Sequence, residues 1–127
     1  MTSFDMPTFA SPGFAIATEA QGSTLTLRFR GNADMSTIEP LDAYLRRVHA
    51  VVTARSGALV VVDFRSLEFM NSSCFKCFVE WIGQVQDLPV AEQYRIVFDS
   101  NREMHWQRRS LNALRCFAME VVTVDAR

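Results

Sequence analysis

A short segment near the middle of the chain carries the side chains with the most evident chemistry. It reads Asn71-Ser72-Ser73-Cys74-Phe75-Lys76-Cys77. The hydroxyls of Ser72 and Ser73 can accept a phosphate, which would add about −1.5 to −2 charge at neutral pH. The segment opens a predicted helix, where backbone N–H groups lack intrahelical acceptors and the helix dipole is positive. These features predict phosphorylation at Ser72 or Ser73, and the plainer alternative is that Asn71 or Ser72 is only the helix N-cap.

The cysteines of this segment suggest a second chemistry. Cys74-Phe-Lys-Cys77 has the C-x-x-C spacing of redox dithiols, and a helix N-terminus lowers the pKa of a thiol. The alternative is simple packing, because Phe75 and Phe78 flank the pair with core-facing bulk and buried free cysteines are common. The three cysteines and two distant histidines do not have the spacing of a four-ligand zinc site, so no metal is predicted.

Charged and aromatic side chains on two predicted helices provide candidate contact surfaces. Lys76 and Glu80 lie opposite the apolar stripe of their helix, as a solvated pair or as a partner contact. Trp81, at the edge of that stripe, belongs to the core edge or is an exposed anchor. The third helix has a cationic face that is either solvated or binds an acidic surface or a phosphate: Arg102, His105, Arg108, Arg109 and Arg115.

Hydrophobic periodicity predicts the elements that position these residues. A continuous apolar run from Ala58 to Phe64 is typical of a strand buried on both faces of a parallel sheet. The helix after it runs from about Ser72 to Asp87 and is followed by Pro89. The other predicted elements are a hairpin of Gly13–Ala20 and Thr24–Arg30, a helix from about Ser36 to Ser56, a strand Tyr94–Asp99, a helix ending near Ala118 and a strand Glu120–Val124.

The helix starts are predicted to differ in how they are capped. Ser36-Thr-Ile-Glu39 and Ser100-Asn-Arg-Glu103 fit capping boxes for the first and third helices. The second helix has no Glu or Gln to complete a box. We therefore expect its first N–H groups to be the least occupied.

The order of elements predicts an α/β fold with a mixed, mostly parallel sheet of about five strands and three main helices. The first hairpin adds one antiparallel strand. Residues 1–12, which contain two prolines, are predicted to be an irregular tail whose phenylalanines dock on the domain or on a partner. Residues 13–127 are predicted to form a single domain.

Composition excludes several broad classes. The chain has 127 residues, 49% of them hydrophobic, and a formal net charge of −1, which suits one domain and argues against a general nucleic-acid binder. No apolar run approaches the roughly 20 residues that span a bilayer. The odd cysteine count and the N-terminal sequence suit a reducing cytoplasm. No enzyme motif is evident, so we expect neither an enzyme nor a cofactor.

The region from Val60 to Phe75 resembles the signature of STAS domains, in particular the anti-sigma-factor antagonists. In that family a buried strand ends in Asp, here Asp63, and a link ending in Phe-Met follows, here Phe69-Met70. An Asp-Ser-Ser-Gly or Asp-Ser-Thr-Gly motif then opens a helix, and its first hydroxyl residue is phosphorylated. The resemblance places that residue at Ser72 and the second hydroxyl at Ser73. Asn71 stands in place of the usual Asp, and Cys74 in place of the usual Gly.

The resemblance implies a STAS-like, cytoplasmic regulatory module that binds proteins and is not an enzyme. Its implied partners are a switch-protein serine kinase that acts as anti-sigma factor and a PP2C-type phosphatase. The resemblance leaves undecided whether the chain forms a homodimer. The implied partner-binding residues are Asp34, Asn71, Ser72, Ser73, Lys76 and Glu80. Asn71 motivates one alternative, a STAS scaffold module that works without phosphorylation, and the C-x-x-C motivates another, a thiol redox protein.

Overall fold

The computed structural model describes residues 4–126. They form one six-stranded sheet and three α-helices. In chain order these elements are β1 (Phe9–Ser11), β2 (Phe14–Gln21), β3 (Thr24–Ala33), α1 (Ile38–Thr53), β4 (Leu59–Met70), α2 (Ser72–Gln86), β5 (Arg95–Ser100), α3 (His105–Phe117) and β6 (Val122–Ala126), with 3-10 turns at Met35–Thr37 and Val90–Glu92.

The strands lie in the sheet in the same order as in the chain, from β1 at one edge to β6 at the other. β1, β2 and β3 are antiparallel neighbours, whereas β3 to β6 are parallel. Parallel neighbours are joined by right-handed crossovers, and here every crossover advances in the same direction. The three helices therefore pack on one face of the sheet. Alternation along β4 fits this layout, because Val60 and Val62 are fully buried while Val61 is partly exposed.

An aromatic cluster holds α2 against the middle of the sheet. Phe78 of α2 packs edge-on against Phe64 of β4 and Phe29 of β3, with ring centroids 5.3 and 5.6 Å apart. Phe98 of β5 lies 5.5 Å from Phe64. Each of these side chains is at most 2% exposed, and burying a phenylalanine contributes roughly 1.5–3 kcal/mol. The position of α2, and with it the start of the helix, is therefore fixed by the core.

The predicted α/β class, the mostly parallel sheet and the three helices are confirmed, with six strands where about five were expected. The additional strand is β1, which lies within the segment predicted to be irregular and pairs with the start of β2. Phe4 and Met6, ahead of it, are each 7% exposed and belong to the core. Residues 1–3 of the predicted tail lie outside the described residues.

The starts of α1 and α3 differ from the predicted capping boxes. Before α1, the Asp34 carboxylate accepts a hydrogen bond from the Ser36 N–H at 3.0 Å and caps the 3-10 turn that leads into the helix. The predicted Ser36–Glu39 box is therefore wrong. The predicted Ser100–Glu103 box is also wrong, because α3 begins only at His105 and has no side-chain cap.

β4 is longer than its apolar run predicts. It continues past the expected end at Phe64 to Met70, through several polar residues. Its pairing with β5 ends at Asp63, but its pairing with β3 continues to the Ala33–Met70 pair. The chain therefore enters α2 directly from a hydrogen-bonded strand.

A close glycine contact lies at the open end of the β2–β3 hairpin, where the last part of β3 meets the start of β2. Gly31 has φ of +92°, and a Cβ on it would overlap the carbonyl of Gly13. The neighbouring Asn32 N–H donates to that same carbonyl at 2.8 Å. Only glycine fits at Gly31, because both the backbone conformation and the space exclude a side chain.

Candidate functional site

The first turn of α2 is anchored by its N-cap residue. The Asn71 side-chain oxygen accepts a hydrogen bond from the Cys74 N–H at 2.8 Å, and the Asn71 N–H donates to the Ala33 carbonyl at the end of β3 at 2.9 Å. Of the two N-cap candidates, Asn71 is therefore the cap, and Ser72 is the first helical residue. The side chains of Ser72 and Ser73 are exposed.

Two backbone donors remain available at this helix start. Within residues 4–126, no acceptor bonds to the N–H groups of Ser72 and Ser73, whereas the Phe75 N–H donates to the Asn71 carbonyl at 3.0 Å. These donors and the positive end of the helix dipole favour an anion at this position. The expectation that α2 has the least complete cap is wrong, since α2 has a side-chain cap and α3 has none. The N–H groups of Ser72 and Ser73 are nevertheless unbonded in α2, because the Asn71 side chain accepts only from the N–H of Cys74.

Asp34 lies next to this helix start, but its carboxylate accepts hydrogen bonds from Ser36 in the 3-10 turn before α1. Hydrogen bonds from the Ser36 hydroxyl, at 2.7 Å, and from the Ser36 N–H lower the pKa of Asp34. The Asp34 carbonyl accepts a weak hydrogen bond from Cys74 Sγ at 3.4 Å. Asp34 therefore contributes a fixed negative charge beside the first turn of α2.

Lys76 lies one turn after Ser72 and is exposed. Among the residues that the structure describes, it forms no ion pair with Glu80, so the solvated pair expected from their spacing is not present. Glu80 instead lies near Arg46 of α1, whose pKa is raised mainly by a hydrogen bond to Asp42 and to a smaller degree by Glu80. Lys76 therefore lies one helical turn from Ser72 on α2, whereas Glu80 lies beside Arg46 of α1.

Two exposed apolar side chains flank the helix start, and sequence reasoning missed both. Met35 is 80% exposed in the 3-10 turn that contacts α2, and Phe69 is 49% exposed near the end of β4. Exposed apolar side chains beside polar groups are typical of protein-binding surfaces. Strand alternation would have placed Phe69 on the same face as buried Leu67, two residues before it. A register irregularity between the Gly31–Leu67 and Asn32–Phe69 pairs interrupts that alternation, and the sequence gives no signal for it. We call Met35, Phe69, Ser72, Ser73 and Lys76 the α2 surface.

The C-x-x-C cysteines are packing residues in this geometry. Cys74 is completely buried and Cys77 is 6% exposed. Burial raises the pKa of Cys74 to about 11, helped by the nearby Cys77 and Asp34. Burial also raises the pKa of Cys77. A redox dithiol needs an accessible thiolate, so the structure argues against the redox alternative.

Trp81 belongs to the core and is not an exposed anchor, because it is only 2% exposed. Its Nε1–H donates to the Tyr94 hydroxyl at 2.7 Å, and that hydroxyl lies 2.7 Å from His49 Nδ1. His49, which has no evident partner in the sequence, thus ends a buried hydrogen-bond chain.

Asp63, the strand aspartate of the sequence resemblance, has a structural role. It is 6% exposed, and its carboxylate accepts from Arg65 Nη2 at 2.8 Å and from Arg65 Nε at 3.0 Å. Burial acts to raise the pKa of Asp63, but the bonds from Arg65 and the charge of Arg28 outweigh burial and lower it. The Asp63 carboxylate thus pairs with arginines of the sheet and is not part of the α2 surface.

Comparison with solved structures identifies the architecture. An anti-sigma factor antagonist from Mycobacterium paratuberculosis superposes with a TM-score of 0.59 at 18% identity, over 85% of each chain. The Bacillus cell fate determinant SpoIIAA in its phosphorylated form superposes with a TM-score of 0.58 at 15% identity, over 87% of this chain and 91% of that one. The chain has a STAS fold. The STAS resemblance drawn from the sequence is thereby confirmed.

Sequence comparison adds no closer relationship. No protein-family model matches the chain, and no curated protein matches it in sequence. None of the helices in residues 4–126 is long and apolar enough to cross a membrane. Any function of this STAS fold must therefore be argued from its own residues.

Proposed function

We propose that the chain is a regulatory protein-binding module of the anti-sigma-factor-antagonist type, and not an enzyme. The observation that carries the proposal is the α2 surface, where Ser72 and Ser73 are exposed at the helix start, Met35 is exposed in the 3-10 turn that contacts α2, and Phe69 is exposed three residues before Ser72. Docking of a partner would bury these apolar side chains and desolvate the hydroxyls. The shared fold with an anti-sigma factor antagonist and with SpoIIAA supports this reading.

Phosphorylation of Ser72 would switch the docking. A phosphate adds about −1.5 to −2 charge in the middle of the surface that a partner must desolvate. The unbonded N–H groups of Ser72 and Ser73 would stabilise the phosphate, and Lys76 would offset the charge of Asp34. Burying the phosphate charge against a partner that offers no positive group is costly. The phosphorylated chain would therefore release its partner.

Asn71 is compatible with this switch. Its side-chain oxygen caps the helix as an aspartate would, through the Cys74 N–H, but it places no negative charge beside Ser72. The like-charge repulsion that an aspartate would exert on the phosphate is therefore absent. The proposed partners are a switch-protein serine kinase that acts as anti-sigma factor, and a PP2C-type phosphatase, in the cytoplasm.

The test measures binding and modification by a switch-protein kinase encoded in the same genome. We expect mass spectrometry to find phosphate on Ser72 or Ser73, and we expect Ser72→Asp to weaken binding to the kinase by at least about tenfold. Phe69→Ala should weaken binding as well, because it removes an apolar contact. The matched control is Val90→Ala, since Val90 is 84% exposed and lies in the remote 3-10 turn.

The outcomes separate the proposal from the alternative that Asn71 motivates. If no phosphate appears and Ser72→Asp binds as wild type, while Phe69→Ala still weakens binding, the chain is a scaffold module without a switch. If neither Ser72→Asp nor Phe69→Ala changes binding more than Val90→Ala does, the α2 surface is not the docking site and the proposal is wrong.

A further inference from the structure

A cationic stripe runs along the exposed side of α3. Its members recur at positions i, i+3, i+4, i+7 and i+10, which places them in line on one helical face: His105, Arg108, Arg109, Asn112 and Arg115. Within residues 4–126, neither His105 nor any arginine of the stripe has a carboxylate within 4.0 Å. The arginine side chains contact only neutral oxygens, Arg108 the Arg102 carbonyl at 3.2 Å and Arg115 the Asn112 side chain at 2.9 Å.

The stripe forms one wall of an open groove of about 630 Å³. Ser100 at the end of β5 and Val124 of β6 line the groove together with the stripe. Leu111 and Leu114, on the opposite side of α3, are at most 1% exposed and hold the helix on the sheet. The groove is therefore a fixed channel between a charged helix face and the last strand.

The other wall of the groove is the free edge of the sheet. β6 pairs with β5, and no other strand of residues 4–126 pairs with it. The Ile96 N–H donates to the Val121 carbonyl at 2.9 Å. In a parallel ladder with this register, Thr123 and Asp125 bond to β5, and Val124 directs its N–H and its carbonyl outward. An unpaired strand edge is a template for pairing with another chain.

We propose that the α3–β6 groove binds an extended acidic segment of a partner protein, which adds to the sheet as a strand beside β6. The backbone groups of Val124 would pair with the backbone of the segment, as in other cases of strand addition. Its carboxylates would meet Arg108, Arg109 and Arg115, which can bind carboxylates in bidentate fashion. The residues that line this groove are not members of the α2 surface, so the inference does not depend on a switch at Ser72.

A peptide fits the groove better than a nucleic acid does. A strand edge offers alternating backbone donors and acceptors that match a peptide but not a sugar-phosphate chain. Exposed carboxylates also lie on the elements around the groove, at Glu103 before α3 and at Asp125 on β6. They would repel a continuous polyanion, whereas a segment with spaced carboxylates can avoid them.

The test uses a fluorescent synthetic peptide in which glutamate alternates with threonine, and measures its binding to the full chain by anisotropy at low salt. We expect saturable binding that the double variant Arg108→Glu/Arg109→Glu weakens at least about tenfold. The charge-matched control is Arg30→Glu/Arg47→Glu, since both of these arginines are exposed and lie outside the groove. It should bind the peptide within about twofold of wild type.

A second probe tests the strand addition without altering the protein. The same peptide with N-methyl groups on alternate residues keeps its charges but loses the backbone donors that face β6. We expect at least a tenfold loss of affinity for the wild-type chain, a margin of about one backbone hydrogen bond or more. The inference is overturned if the N-methylated peptide binds equally well, if both double variants weaken binding alike, or if a single-stranded oligonucleotide binds as tightly as the peptide.

Discussion

Gln107 is the buried polar side chain whose removal gives the sharpest test of how α3 is attached. It is completely buried. Its Nε2 donates to the Phe64 carbonyl at 2.6 Å and to the Leu67 carbonyl at 2.8 Å, and its Oε1 accepts from the Asn101 N–H at 2.8 Å. Phe64 and Leu67 lie in the part of β4 that has already separated from β5. Gln107 thus replaces the missing strand as a partner for their carbonyl groups.

Gln107→Met removes these bonds with little change of volume, so the cost is mainly that of unpaired polar groups. An unsatisfied buried donor or acceptor costs about 1–3 kcal/mol, which gives about 2–6 kcal/mol for the two carbonyls. Asn101 is partly exposed, so its N–H can turn to water and adds little. We therefore expect a loss of about 3 kcal/mol, a large part of the 5–15 kcal/mol that typically stabilises a domain.

Urea unfolding followed by tryptophan fluorescence measures this loss. The matched control is Gln84→Met, because Gln84 lies on α2 and its side chain forms no hydrogen bond within residues 4–126. The control should stay within about 0.5 kcal/mol of wild type. A loss below about 1 kcal/mol for Gln107→Met, with an unchanged urea dependence, would show that the β4 carbonyls do not need this partner.

Three further results are expected. With a thiol reagent at neutral pH, exposed Cys116 should react quickly while buried Cys74, whose pKa burial raises to about 11, stays unreacted in the folded chain; comparable rates would contradict the packing. Burial lowers the pKa of His49, so the unfolded chain binds that proton more readily and the free energy of unfolding should fall as pH drops below about 6.5. His49→Gln should make the free energy of unfolding less dependent on pH in this range. If the variant and the wild type have the same pH dependence, His49 is not its source. Gly31→Ala should lower the free energy of unfolding by more than about 3 kcal/mol, because its Cβ would overlap the Gly13 carbonyl and its positive φ is strained for alanine. Gly57→Ala has φ of +71° but open space around it, so it should lose only about 1 kcal/mol. Equal urea midpoints for the two variants would refute this prediction.

The sequence predicts the layers of the fold well because they depend on periodic burial. The apolar run in β4 and the stripes of α1 and α2 are local patterns, and their residues lie in the core as expected. Helix starts are predicted poorly. Ser36 and Ser100 have the right spacing from a glutamate, but Asp34 caps the turn before α1, and α3 starts where Trp106 and Gln107 bond to carbonyls of β4. These bonds are long-range and leave no local sequence signal.

The candidate residues Asn71, Ser72, Ser73 and Lys76 lie at the helix start that the sequence predicts for them, but their exposed apolar neighbours were not predicted. The serine pair, Asn71 and Lys76 stand together at the start of α2 as expected. Met35 and Phe69 were missed because their exposure depends on the 3-10 turn and on the extension of β4 along β3. Both features arise from strand pairing and tertiary contact, which composition and spacing do not encode.

The order of strands in the sheet also bears on how the chain folds. Because neighbours in the sheet are neighbours in the chain, each new strand closes a loop no longer than one helix and its turns. The loop-closure entropy of each step is therefore limited to that of one crossover, which is less than in a sheet whose neighbouring strands are distant in the chain. The sheet can also grow while the chain is synthesised, starting from β2 and β3. β6 joins last, so the α2 surface can be complete while the α3–β6 groove is still forming.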